Sequence, residues 1–153
     1  MNRNTIGVPF AQQRLEGRTD SDTFFSSVKS ICGYRCIRLL VHLWTQFLWI
    51  TNLRREKYNH GTYQDFIRKV GTPNILLMDN TNSQFGKKWA DTSHRNQTQQ
   101  KQSSIDKHNQ NQSERKVGDV KKRFAYTLFS SSAPIVVWCY CIEFVVYCLN
   151  LIA

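Results

Sequence analysis

Apolar residues cluster in runs along the first half of the chain in a way that favours strands. Between residues 22 and 51, aromatic and β-branched residues are dense and are interrupted by short polar turns. This pattern predicts an antiparallel meander of three strands, at residues 22–29, 34–41 and 44–51. Residues 74–78 form a short, continuously apolar run, which is typical of a buried parallel strand.

Other segments repeat their apolar residues at helical spacing. Residues 63–70 do so, and a short helix is predicted at residues 85–89. A longer basic helix is predicted to begin at Glu114, because the apolar residues that follow it lie on one helical face. Three strands, a helix, a strand and further helices predict an α/β fold with a mixed sheet.

Two segments are polar and aperiodic. Residues 1–20 are predicted to be a poorly ordered lead-in, ahead of a single domain at residues 21–153. Residues 91–113 are rich in Gln, Asn, Ser and Lys, which predicts a flexible loop with one short edge strand. A long loop inside a compact domain is uncommon and is often functional.

The last segment, residues 134–153, is apolar on nearly every side except at Glu143 and Asn150. Its length is close to the ~20 residues that span a bilayer, so a membrane anchor is one interpretation. Glu143 would cost several kcal/mol within lipid. A helix buried against a sheet explains the same pattern and is favoured.

The chain is strongly basic. Lys and Arg number 21 against 11 acidic residues, which gives a formal net charge of +10. Such a surface attracts polyanions, of which nucleic acid is the commonest. A solvated basic face and an anionic membrane surface are the alternatives.

Five cysteines have no metal-ligand spacing. Their odd number, together with a start that lacks a signal-peptide pattern, favours a reducing compartment. We therefore expect the protein in the nucleus or the cytoplasm.

Three acidic residues have contexts that fit a shared metal site. Asp22 heads a predicted strand, Asp79 follows the apolar run at residues 74–78, and Glu114 comes 35 positions after Asp79 at a predicted helix start. Carboxylates at strand ends and on a helix can converge on divalent cations, a geometry used to cut and join nucleic acid backbones. Each also has a plainer explanation. Asp22 could be a strand-start cap, with Asp20 as an equally acidic neighbour, and Asp79 could be a turn residue. Glu114 could be an acid in the first turn of a helix, where the helix dipole favours it.

Five segments occur in the order found in one known family: residues 22–34 with a glycine-containing turn, residues 42–49, residues 74–85 around Asp79, the Gln/Asn-rich residues 108–116, and a closing segment with Pro134, Trp138 and Asn150. In this order they resemble the integrase catalytic core of copia-type long-terminal-repeat retrotransposons, a branch of the retroviral integrase superfamily with an RNase H-like fold. The chain departs from the family at Thr81, where glycine is common, and it has no counterpart of the flanking zinc-binding and DNA-binding domains. Those departures predict a core fragment or a decayed copy.

The resemblance implies a polynucleotidyl transferase that processes the 3′ ends of element DNA and joins them to target DNA. It implies that Asp22, Asp79 and Glu114 are the catalytic carboxylates and hold two Mg²⁺ or Mn²⁺ ions, with Asp20 left open as an alternative first carboxylate. It also implies double-stranded DNA as the partner, assembly into a homo-oligomer and no membrane association. The lysines and arginines expected to contact phosphates are Arg115, Lys116 and Lys121, followed by Lys87 and Lys88. A catalytically inactive nucleic-acid-binding remnant is the competing hypothesis.

Overall fold

A mixed five-stranded sheet with helices on both faces forms the molecule. The structure, a computed structural model, describes residues 13–78, 86–102 and 107–152, and the elements below are those of these ranges. The strands are β1 (Arg14–Phe25), β2 (Cys36–His42), β3 (Leu48–Leu53), β4 (Thr72–Met78) and β5 (Gln99–Gln102). The helices are α1 (Asn59–Lys69), α2 (Gly86–Arg95), α3 (Lys107–Ser130) and α4 (Trp138–Leu151), with short 3₁₀ turns at Glu56–Tyr58 and Ile135–Val137.

The strand order is β3-β2-β1-β4-β5, so β1 is the central strand. β1, β2 and β3 pair antiparallel, which confirms the predicted meander. β4 pairs parallel with β1, and β5 pairs parallel with β4 at the edge. The predicted mixed α/β sheet is therefore confirmed.

β1 begins at Arg14, eight residues before the predicted start of the first strand. Residues 14–20, which the sequence placed in a polar lead-in, belong to the sheet, and residues 1–12 lie outside the described ranges. The reason is that β4 pairs with this part of β1, from Arg14 opposite Thr72 to Ser21 opposite Met78. Backbone pairing of this kind does not require an apolar side-chain pattern.

The segment predicted as a flexible loop, residues 91–113, is largely regular. α2 continues to Arg95 and α3 already begins at Lys107, so the loop prediction is wrong for both ends of the segment. The short edge strand predicted within it is confirmed as β5. Helix propagation adds one hydrogen bond for each residue that is fixed, so an established amphipathic helix can extend into a polar stretch that would not nucleate one.

Two apolar cores lie on opposite faces of the sheet. Because side chains alternate along a strand, Leu39 and Val41 of β2 face α3 and α4, whereas Leu40 faces α1 and α2. Trp138 of α4 is buried in the first core and Trp89 of α2 in the second. Both faces of the central strands are therefore covered.

Two side-chain contacts fix α4 on the sheet. The Trp138 indole N–H donates to the Val28 carbonyl at 2.8 Å. The Asn150 side chain accepts from the Leu48 N–H at 2.9 Å and donates to the Leu48 carbonyl at 2.8 Å, so it binds the outer edge of β3. The prediction of a helix packed on the sheet is confirmed, and within the described ranges no helix has the length and apolar character to cross a bilayer.

Candidate active site

The central strand places two carboxylates on one face of the sheet. Asp20 and Asp22 are two positions apart on β1, so both side chains point to the same side. Their antiparallel partners on β2 are Val41 and Leu39, which belong to the core under α3 and α4. The two carboxylates therefore lie on the face that carries α3.

Asp22 faces a lysine of α3. The Lys121 ammonium is 3.8 Å from the Asp22 carboxylate and lies over the Phe24 ring, at 4.9 Å from the ring centroid. The Asp22 side chain remains 37% exposed, so its carboxylate is still accessible to solvent beside Lys121. This contact joins α3 to the central strand at the candidate site.

Asp20 has a different environment. It is almost fully buried, and Arg18 holds both of its oxygens, through Nε at 2.5 Å and Nη2 at 2.6 Å. Arg18 is two positions before Asp20 on the same strand and so shares its face. The pair is not predictable from the apolar pattern, because residue 18 lies outside the first predicted strand.

The end of β4 lies beside these two carboxylates. Met78, the last residue of β4, pairs with Ser21, which lies between Asp20 and Asp22. The sequence continues from Met78 to Asp79, which lies outside the described residues. The prediction for Asp79 therefore rests on the position of its chain neighbour.

Glu114 lies on α3, seven residues after the helix begins, rather than at a helix start. The explanation of Glu114 as a first-turn acid is therefore wrong. Its side chain is exposed, and it lines a groove of about 500 Å³ together with Arg115, Gly118, Asp119 and Lys122. Glu114 precedes Lys121 by two helical turns, or roughly 10 Å along the axis.

The structure does not bring three metal-ligating side chains together among the residues it describes. No group of three His, Cys, Asp or Glu side chains in those ranges could hold a metal ion, and Asp79 is not part of them. The chemistry of the donors is nevertheless suitable, because the accessible carboxylates of Asp22 and Glu114 offer the hard oxygen ligands that Mg²⁺ and Mn²⁺ prefer. Asp20 is less suitable, because Arg18 already binds both of its oxygens.

The predicted phosphate-binding residues divide into two groups. Arg115, Lys87 and Lys88 are exposed and Lys116 is half-buried. Lys121 differs, because its ammonium points to Asp22 and Phe24 on β1. Among the basic residues named, Lys121 is therefore the one whose charge lies next to the Asp22 carboxylate.

On the opposite face of the sheet, His60 of α1 packs against α2. Its Nε2 is 2.7 Å from the Thr92 hydroxyl, and its ring meets Trp89 edge-on. Burial, and then the positive charge of Lys88, lower the pKa of His60 below its usual value. This histidine lies on the face away from the carboxylates.

Integrase catalytic cores are among the solved structures that this fold resembles. The catalytic core of HTLV-2 integrase, solved with magnesium in a trimeric form, is 13% identical with a TM-score of 0.63, over 85% of this chain and 82% of that one. Its dimeric form gives the same identity and TM-score over 85% and 83% of the two chains. The core of BIV integrase is 13% identical with a TM-score of 0.66, over 84% and 80%. No protein-family profile and no curated protein matches the sequence. The chain therefore has the RNase H-like fold of retroviral integrase catalytic cores.

Proposed function

We propose that this protein is the catalytic core of a retroelement integrase of the copia type. It acts on double-stranded DNA in the nucleus or the cytoplasm, where it processes the 3′ ends of element DNA and transfers them to target DNA. Asp22, Asp79 and Glu114 are its catalytic carboxylates.

The observation that carries the proposal is the meeting of three elements on one face of the sheet. The central strand presents Asp22, the neighbouring strand β4 ends beside it at Met78, and α3, which carries Glu114, contacts Asp22 through Lys121. Carboxylates contributed by two adjacent strands and one crossing helix suit a reaction at a phosphate that two metal ions bind.

The residues that would hold the metal ions are Asp22, Asp79 and Glu114. Two divalent ions bound there would supply the activation of the attacking water or 3′-hydroxyl and the stabilisation of the leaving oxygen in an in-line displacement. Asp22 supplies an accessible carboxylate, and the Lys121 ammonium lies 3.8 Å from it on the helix side. Arg18 and Asp20 form a partly buried ion pair on the same strand, and Asp20 is two residues before Asp22.

The exposed basic residues supply the DNA contacts in this proposal. Arg115 lies next to Glu114 and lines the same groove, while Lys87 and Lys88 lie exposed on α2. Lysine and arginine contacts to phosphate position a duplex without reading its sequence, so weak target preference is expected. Affinity for DNA should fall steeply with salt.

One observation favours a second candidate, an inactive remnant that still binds nucleic acid. Asp20 and Asp22 of β1 are each already close to a cation, Asp20 to Arg18 and Asp22 to Lys121. A copy that no longer binds metal could keep these two ion pairs as purely structural contacts.

Strand transfer with short duplex element ends separates the two candidates. We expect joined products in Mg²⁺ or Mn²⁺ and none in EDTA, and we expect Asp79→Asn and Glu114→Gln to lower the rate by at least about 100-fold, because metal binding contributes several kcal/mol to the transition state. DNA binding, measured by fluorescence anisotropy in the absence of metal, should be retained in both variants. Binding without any metal-dependent product in the parent chain would support the remnant and contradict the proposal.

A further inference from the structure

A groove runs along the junction of helices α3 and α4, and residues of both helices line it. Its volume of about 550 Å³ is in the range of small-molecule sites in proteins. Val145 and Leu149 are almost fully buried and form its floor. The rings of Tyr126 and Phe144, which are 75% and 59% exposed, form its walls. We call this site, with its apolar floor and aromatic walls, the α3–α4 groove.

The groove has a direction, because the chain reverses between α3 and α4. The Cys141 thiol of α4 donates to the Phe124 carbonyl of α3 at 3.8 Å, so residues late in α3 lie beside residues early in α4. Tyr126 and Phe144 therefore lie toward the connection between the two helices, and Lys122 lies toward the other end. The groove thus has one aromatic end and one end that carries a cation.

The Lys122 ammonium gives the groove a positive charge at that end. Asp119 and Arg123 also line the groove, but the Arg123 Nε lies 3.1 Å from an Asp119 carboxylate oxygen, so their charges compensate each other. Lys122 is exposed and forms no ion pair with any residue that the structure describes. An occupant that complements the groove therefore has an apolar body and a single negative charge at one end.

We propose that the α3–α4 groove binds a free, single-chain carboxylate of the fatty-acid class. The carboxylate pairs with Lys122, and the alkyl chain lies on Val145 and Leu149. The end of the chain lies between the rings of Tyr126 and Phe144. Burial of the alkyl chain provides most of the affinity, because removing apolar surface from water is favourable and requires no specific direction. This binding requires neither DNA nor metal ions.

The dimensions and charges of the groove suit one free alkyl chain better than a protein segment or a bilayer. From Asp119 to Thr127 the α3 side of the groove extends roughly 12 Å along the helix axis. A partner helix laid over the groove would cover the ion pair of Asp119 and Arg123, and the loss of water from both charges opposes this. A single alkyl chain occupies the floor and leaves that pair in water. Recognition of an anionic bilayer uses clusters of basic residues rather than one free cation.

Isothermal titration calorimetry of the full chain with octanoate, decanoate and decylamine tests the proposal, without DNA or metal. All three compounds are used below the concentrations at which they form micelles. Decanoate should bind about 16-fold more tightly than octanoate, because each of its two additional methylenes contributes about a fourfold gain when buried. Decylamine has a chain of the same length with a positive charge, and it should bind at least about tenfold more weakly than decanoate.

Substitutions at the two ends of the groove separate the contributions of charge and chain. Lys122→Glu should weaken the binding of decanoate at least about tenfold and strengthen that of decylamine. Tyr126→Ala removes one aromatic wall and should reduce the gain from octanoate to decanoate to about fourfold, the value for one buried methylene. Lys29→Glu makes the same change of charge at an exposed lysine outside the groove and should change neither affinity. Far-UV circular dichroism should show that all three variants stay folded, since the substituted side chains are exposed.

Cysteine alkylation shows where the ligand binds. Cys148 lines the groove and is half-buried, whereas Cys32 is half-buried outside it. With decanoate at ten times its dissociation constant, alkylation of Cys148 by N-ethylmaleimide, measured by mass spectrometry, should slow about tenfold, while that of Cys32 should not change. Equal affinities for decanoate and decylamine, an affinity that does not rise with chain length, or equal protection of the two cysteines would overturn the proposal. So would flotation of the chain with phosphatidylserine vesicles without any binding of free decanoate.

Discussion

Asn150 connects the last helix to the edge of the sheet, and its replacement gives a measurable prediction. In Asn150→Ala the two hydrogen bonds to the Leu48 backbone, at 2.9 and 2.8 Å, are lost. A typical intramolecular hydrogen bond contributes about 1 kcal/mol net, so the free energy of unfolding should fall by about 2 kcal/mol. For a domain of this size that corresponds to a melting temperature lower by about 4–8 °C.

Urea denaturation followed by circular dichroism measures this change. The midpoint should fall while the slope stays constant, because the same surface is exposed on unfolding. Asn96→Ala is a matched control, since Asn96 makes one local side-chain bond, to the Thr92 carbonyl at 2.7 Å, and should cost about half as much. A loss for Asn150→Ala of less than about 0.5 kcal/mol, or no larger than that of the control, would refute the structural role given to Asn150.

Two further predictions concern charge. Burial and the charge of Lys88 lower the pKa of His60, so below about pH 6.5 the unfolded chain binds a proton that the folded chain does not. The free energy of unfolding should therefore fall as the pH drops below that value. His60→Gln should remove this part of the pH dependence, as measured by urea titrations at several pH values. A pH profile identical in the parent chain and the variant would show that His60 is not the group responsible. In Lys121→Met the cation beside Asp22 is lost. If Asp22 binds metal as proposed, the affinity for Mn²⁺ measured by calorimetry should rise about fivefold. This factor corresponds to the ~1 kcal/mol by which two unit charges 4 Å apart interact in water. Unchanged or weaker Mn²⁺ binding would contradict that role.

The sequence was sufficient for the elements whose side chains form the two cores. The meander, the parallel strand β4 and the helix α1 follow from apolar patterns that the tertiary structure also uses. Asn150 and Trp138 were identified by resemblance, and both make the contacts that hold α4 in place.

The predictions that failed concern segments whose structure depends on backbone hydrogen bonding rather than on an apolar side-chain pattern. The first half of β1 is polar and carries Gly17 at φ +98°, next to a register shift between Leu15 and Arg18, and only its pairing with β4 makes it a strand. The first turns of α3 have no apolar pattern and depend on the helix that follows them. Because the first half of β1 has no apolar pattern, the sequence could not place Arg18 and Asp20 on one face of a strand. The sequence predicted an apolar helix at α4, but only the structure shows which of its residues are buried in the core and which are exposed.

The carboxylate site is tested most directly by comparing Asp22→Asn with Asp20→Asn in single-turnover strand transfer with Mn²⁺. The two residues lie two positions apart on one face of β1 and differ in their partners, Lys121 for Asp22 and a bidentate Arg18 for Asp20. We predict that Asp22→Asn lowers the rate by at least about 100-fold with little change in stability, whereas Asp20→Asn retains activity and loses stability. The reverse pattern, with activity lost in Asp20→Asn and kept in Asp22→Asn, would contradict the proposed site.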